Sequence, residues 1–364
     1  MPRKLHVFDP HAFKLHAIRL QVVMLLLPVL LAACAAEPPP PVETKPTTVR
    51  TSGADGDFGA VSAPSPPPPR EVDVRKTTDW PRAELASGTA SISCQPDDAI
   101  DDAGVALVDL EFFSVLDAMS PCQAAGVMRL RYTGRIASDF TVLVERVASM
   151  AARMGIARRV LDVDSSGGQV EDAIRAGDEI AESSWEIHVR PDAVCHSACV
   201  LILASGDDRR IAGAVGIHRI IRIQSSATSR AELSRELRDV HGQMEEYLER
   251  NGAAVAVADL MMTVPNRGLR LLTPVELDAF GLQGTNAAQD DLERIRLARK
   301  CGEDFVRRKD AFARAFEQQC LEPKLDGGSV NSCGLALRDR YGFPDRKCAA
   351  DSPMADSDRG EMRG

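Results

Sequence analysis

Between residues 160 and 218 the order of residue types leaves few folds open. An almost unbroken apolar strand, Val160–Val163 within VLDVDSSGGQV, runs into Gly167-Gly168. A helical stretch follows, and PDAVCHSACVLILASG then places Ser197 between two cysteines where a short polar strand meets an apolar helix. AVGIHRI closes the stretch with His218 at a strand end. The same alternation extends to both sides. VMRLRYTG (127–134) alternates as a strand and stops at glycine, and 140–154 carries apolar residues at helical spacing. Helices are expected over 170–183 and about 229–250, with a strand at 185–189. Strands alternating with helices predict an α/β fold with a mainly parallel sheet and right-handed crossovers. Aromatic residues make up only 4% of the chain, so the core must be built from Val, Leu, Ile and Ala.

The chemistry suggested by this stretch is nucleophilic. A serine hydroxyl needs a base to take its proton, and it reacts best at a sharp strand-to-helix junction. There the next backbone N–H, from Ala198, and the helix N-terminus can face a developing oxyanion. The plainer alternative is that Ser197 caps a core helix. Gly167-Gly168 allows close approach of backbone to a substrate, although two glycines also make an ordinary tight turn. Of the four histidines in the folded part, His196 adjoins Ser197, so their side chains should diverge. His188 falls in strand WEIHVR and is open to a solvated edge position, and His241 falls on a charged helix. His218, after Gly216, is the base of choice, with a hydrogen-bonded core histidine as its alternative.

Gly168, Ser197 and His218, in this order and spacing, resemble the proteolytic subunit of Clp protease and its relatives on the crotonase-like fold. The likeness covers about 125–285. It implies repeated β-β-α units and a serine peptidase in which Ser197 attacks, His218 shuttles the proton, and the N–H groups of Gly168 and Ala198 hold the oxyanion. In that family a carboxylate orients the histidine from just before a turn and helix resembling Leu272–Leu282. Here the preceding residues, Val264–Arg270, contain no Asp or Glu. Asn266 is the nearest polar substitute, with Asp259 and Asp278 as further options. A serine–lysine dyad is excluded in this region, because no lysine lies between Lys76 and Lys300.

The first 34 residues form a leader. Arg3, Lys4, Lys14 and Arg19 precede an apolar run over 22–33, too short to span a bilayer stably but suited to a signal peptide. Leu31-Ala32-Ala33-Cys34 resembles a bacterial lipobox, which implies acylation of Cys34 and a lipid anchor. Ala35 after it implies the outer membrane, facing the periplasm. Residues 35–85, with EPPPPVETKPTT and SAPSPPPPR, read as a disordered proline-rich tether. The Clp-like domain is expected over 86–285, a helical Cys-containing extension over 286–350, and a disordered tail over 351–364.

Nine cysteines occur, and the eight beyond Cys34 fit disulfides in an oxidising compartment. Residues 288–320 read as one helix, so about 28 Å would separate Cys301 from Cys320 and forbid a bridge between them. A chain doubling back would pair Cys320 with Cys333 and Cys301 with Cys348. Cys195 and Cys199, either side of Ser197, are open to a local disulfide, to partners in Cys94 and Cys122, or to metal ligation with His196. Only half of a zinc motif is present, so no metal site and no cofactor is expected.

The formal charge is −9, with no basic patch interleaved with aromatics, so nucleic acid is not an expected partner. The expected partner is a protein or peptide substrate, flexible or already unfolded because an exported protein has no ATP supply; a homo-oligomer is left open. The expected activity is envelope-located serine endopeptidase. The alternatives are a non-catalytic Clp-like scaffold, a crotonase-type acyl-CoA enzyme, and a purely structural envelope protein.

Overall fold

The computed structural model describes residues 61–62, 73–95, 103–222, 225–265, 268–324 and 326–355. After β1 (Val61–Ser62), β2 (Gly88–Ser93) and β3 (Val105–Leu107) come α1 (Phe112–Ala125), β4 (Val127–Gly134), α2 (Ser138–Met154), β5 (Arg158–Asp164) and α3 (Val170–Ser183). Then follow β6 (Glu186–Val189), β7 (Val194–His196), α4 (Cys199–Ala204), β8 (Asp208–Ile211), β9 (Ala214–Ile217), β10 (Ile221–Arg222), α5 (Arg230–Arg250) and α6 (Ala256–Thr263). The chain continues through β11 (Arg270–Leu271), α7 (Pro274–Ala279), β12 (Gly284–Thr285), α8 (Ala287–Cys301), α9 (Glu303–Phe316) and α10 (Gly327–Arg340).

Seven strands form the main sheet in the order β12-β8-β6-β5-β4-β2-β3. Its centre, β4-β5-β6-β8, is parallel, and β2, β3 and β12 run antiparallel at the margins. A second sheet, β11-β9-β7, pairs β7 with β9 in parallel and β9 with β11 antiparallel. Two bridges extend this second layer, Ser165 with Cys195 and Ile136 with Gly168. Each central strand is therefore followed by a second-layer segment and then a helix. β4 leads to Ile136 and α2, and β5 to 165–168 and α3. In the same way β6 leads to β7 and α4, and β8 to β9 and α5. These are the repeated β-β-α units and mainly parallel sheet expected from the sequence.

Alternation along the strands explains how the sheet is covered. Leu130, Tyr132, Leu161, Val163, Ile187 and Val189 join one buried cluster with the inward faces of α2, α3 and α4. The other face is charged. Asp162, 2% exposed, accepts a 2.8 Å bond from Arg129 and lies near the His188 ring, Arg131 and Arg190. His188 is thus a buried member of an ion cluster, where the sequence left open a solvated edge position.

Two expectations change at the ends of the chain. Residues 73–85, read from composition as part of the tether, lie against the core: Val74 and Trp80 are each 6% exposed. Arg146 and Arg153 donate to backbone carbonyls of Val74, Arg75, Thr77 and Pro81. The proline-rich average over the window concealed these two anchors. The expected single helix 288–320 is broken at Gly302, whose φ of 99° is outside helical space, so α8 and α9 fold on each other. A separate cluster, with Leu297, Phe305, Phe312, Leu337 and Phe343, forms the helical extension. Disulfides join Cys301 to Cys348 and Cys320 to Cys333 in it. Cys94 bonds Cys122 in the main domain. No helix among the described residues is long and apolar enough to cross a membrane. Cys34 lies outside the described residues.

Candidate active site

Ser197 occupies the junction between β7 and α4 in a left-handed conformation, with φ of 62°. For a residue with a Cβ this costs about 1–3 kcal/mol, so the surroundings must over-determine it. They do so through backbone bonds. Ser165 N–H donates to Val194 O (2.7 Å), His196 N–H to Ser165 O (2.9 Å), and Ser197 N–H to Gly216 O (2.8 Å). Val194 N–H also donates to the Asp164 carboxylate at 3.0 Å. The Cys195–Cys199 disulfide spans the turn with a Cα–Cα distance of 5.2 Å. Beyond the turn, α4 is wholly buried. Its last carbonyls are satisfied by side chains: Tyr247 Oη donates to Leu201 O at 2.8 Å and Arg209 Nη2 to Ala204 O at 2.8 Å. Burial pulls the Arg209 guanidinium down to about 10, still charged at neutral pH, and pushes the Tyr247 hydroxyl well above its ordinary range.

Gly167-Gly168 passes directly beside this junction. A Cβ on Gly167, whose φ is 109°, would lie 2.7 Å from Ser197 Cβ and 3.3 Å from Ala198 N. The Ser165 hydroxyl accepts a bond from Gly167 N–H at 3.1 Å, which holds the turn. The ladder with Ile136 uses Gly167 O (2.9 Å) and Gln169 N–H (2.8 Å). In a parallel ladder the residue between them, Gly168, directs its own N–H away from that partner. The N–H of Gly168 and that of Ala198 therefore belong to two segments that converge beside Ser197. Neither glycine tolerates a side chain, since a Cβ on Gly168 would fall 2.0 Å from Ile136 O.

Ser197 is 0% exposed, and its Oγ has no hydrogen-bond partner among the described residues. A buried hydroxyl left unpaired costs about 1–3 kcal/mol, so it calls for an explanation. His218, 9% exposed, follows β9 at the expected strand end, but no bond joins it to Ser197. Its ring centroid is 6.4 Å from that of His196 in an edge-to-face arrangement. Adjacent side chains were expected to diverge, yet His196 stands next to the candidate base. The register of β7 on β9, which sets His196 opposite Gly216, brings it there.

Among the described residues no carboxylate is hydrogen-bonded to His218. Asp259 instead accepts from His241 Nε2 at 3.0 Å, and Asp278 is exposed on α7. Asn266 lies outside the described residues. His241 is held between Glu245 (3.4 Å) and Asp259, with its side chain 22% exposed, where a solvent-facing position was expected. This trio is compact enough to offer ligands to a cation. Cys301, Cys348 and Asp351 also cluster, but both sulfurs are consumed in a disulfide.

Asp162 and its arginines were missed in the sequence, because a single acid in an apolar run reads as tolerated. The available signal was Arg129 and Arg131 at alternate positions of the preceding strand.

No protein-family model matches the sequence, and no curated protein matches it. Among solved structures, the chain is similar to a mutant of the 1510-N membrane-bound stomatin-specific protease in complex with a substrate peptide. Identity is 18%, with 46% of this chain and 77% of that chain covered and a TM-score of 0.35. A second mutant of that protease is similar at 16% identity, over 47% of this chain and 82% of that chain, with a TM-score of 0.36.

Proposed function

We propose that the protein is a serine peptidase in which Ser197 is the nucleophile, and that it acts on flexible or unfolded polypeptides at the bacterial cell envelope. The observation that carries this reading is the state of Ser197: left-handed, at a strand-to-helix junction, with an unpaired buried hydroxyl. A helix cap would spend that hydroxyl on a backbone N–H, and here it is spent on nothing. Strain and an unpaired polar atom at one residue are the pattern of a site kept for chemistry.

In this reading Ser197 Oγ attacks the scissile carbonyl while His218 accepts its proton. The N–H groups of Gly168 and Ala198 stabilise the oxyanion that forms. His218 then protonates the leaving amine, and a water, deprotonated by the same ring, releases the acyl group from Ser197. The Ser197–His218 contact forms when substrate enters, as catalytic bonds often tighten only in the complex. Anchoring through acylated Cys34, with the outer membrane facing the periplasm as location, rests on the leader sequence. The four disulfides support an oxidising compartment.

A second reading, a binding scaffold with the shape of a hydrolase, is favoured by the missing bond to His218. A fluorophosphonate probe decides between them. Labelling of the chain from residue 35 to 364, which keeps Val74 and Trp80 in the core, is expected in wild type and lost in Ser197→Ala and His218→Ala. Folded wild type that stays unlabelled under oxidising conditions would leave the scaffold.

A further inference from the structure

We infer that the Cys195–Cys199 disulfide is a positioning brace that holds Ser197 in its reactive backbone conformation. This rests on the reading of Ser197 as nucleophile. The two cysteines stand two residues before and two residues after Ser197, in the middle of β7 and at the start of α4. An extended chain would separate them by about 13 Å, whereas the bond holds their Cα atoms 5.2 Å apart. The residue inside that closed loop is the one with φ of 62°. Relaxation of Ser197 to an extended backbone conformation would swing Cys195 and Cys199 apart, and the bond forbids it.

The remaining restraints leave room for such a brace. The backbone bonds of 194–197 fix the strand side of the turn, to Ser165 and Gly216. On the helix side, Val200 N–H reaches back to Ser197 O at 3.0 Å, and Tyr247 and Arg209 bind only the far end of α4. Beyond the backbone itself, the disulfide is the covalent cross-link between the two sides. Cys195 and Cys199 are both 0% exposed. A dissolved thiol therefore cannot reach the sulfurs in the folded protein, and the bond acts as a fixed part of the site. Consequence for the chemistry: the Ala198 N–H, one residue past Ser197, is aimed by the same closed loop.

The test compares Cys195→Ala/Cys199→Ala with Cys94→Ala/Cys122→Ala in the full chain, and uses Cys195→Ser/Cys199→Ser should the alanine pair fail to fold. Fluorophosphonate inactivation is read as a maximal rate and an apparent affinity, beside deuterium exchange of the 195–204 peptide. The brace predicts a maximal rate lower by about 10²-fold at unchanged affinity in the 195/199 variant. It also predicts faster exchange confined to that peptide, and neither change in the 94/122 variant. An unchanged rate in the folded 195/199 variant overturns it, as does an equal loss in the 94/122 variant. Unlabelled wild type would instead strike the nucleophile reading. In that case the exchange alone decides the brace, and unchanged exchange at 195–204 overturns it.

Discussion

Gly167 and Ser197 are in contact in the one place where neither can change shape: a Cβ on Gly167 would sit 2.7 Å from the Ser197 Cβ. Both residues have positive φ, which Gly167 adopts freely and Ser197 only under strain, and their turns come from different β-β-α units that face each other across the site. Gly167→Ala would add both a backbone penalty and a clash with His196 O at 2.8 Å. We expect it to destabilise the protein by about 2–4 kcal/mol and to abolish probe labelling. Urea unfolding and labelling of the fraction that remains folded check this.

Ser197→Ala should make the protein more stable while removing its reactivity. The substitution keeps the backbone strain but deletes a buried hydroxyl without a partner. A gain of about 1 kcal/mol, or about 2–4 °C in melting temperature, is expected. A melting temperature equal to or below that of wild type would mean that the hydroxyl is satisfied in solution.

Stability should fall between pH 4 and pH 7 because of Asp207. Burial, only partly offset by the Ser184 hydroxyl and Arg209, pushes its carboxyl up to about 6 from 3.8. The folded state therefore holds this proton more tightly than the unfolded chain. Its contribution is full below the unfolded value and is lost as pH rises through 6. Glu186 works in the opposite direction. The His188 ring beside it, and then hydrogen bonds from Arg158, hold it far below its ordinary range, so its contribution is lost as pH falls below about 4.5. Asp207→Asn should stabilise the protein by about 1–2 kcal/mol at pH 7.5 and flatten the decline between pH 4.5 and 7. Denaturant midpoints across that range read the difference.

Loss of the Cys301–Cys348 bond should loosen the helical extension and spare the sheet. The bond closes a sequence separation of 47 residues around a cluster distinct from the main core. Chain-entropy reasoning assigns it about 4 kcal/mol. In Cys301→Ala/Cys348→Ala, trypsin should cut first within 294–347 while 103–265 stays protected. Simultaneous loss of both regions would show that they unfold as one unit.

Much of the fold was legible along the chain because its signals are local. VMRLRYTG alternates with a period of two, Ser229 caps α5 through Glu232 N–H, and Thr273-Pro274 opens α7 with a capping box. The helix expected over 288–320 failed at a single Gly302, since a continuous apolar stripe is equally compatible with two helices folded on each other. The tether boundary failed for a related reason: Trp80 and Val74 count for little in a proline-rich average and for much in a core.

The candidate site divides along the same line. Sequence alone determined the alternation of strands and helices, the glycine pair, the serine at a strand-to-helix junction and the histidine at a strand end, because these depend on neighbours in the chain. Only the tertiary structure decided that Ser197 is left-handed with an unpaired hydroxyl, that Gly167 touches it, that His196 stands beside His218, and that Asp259 serves His241. The contacts around Ser197 depend on the register between strands of different β-β-α units, and the Asp259–His241 contact on how α6 packs against α5; both are set by packing over the whole fold and not encoded in any single segment.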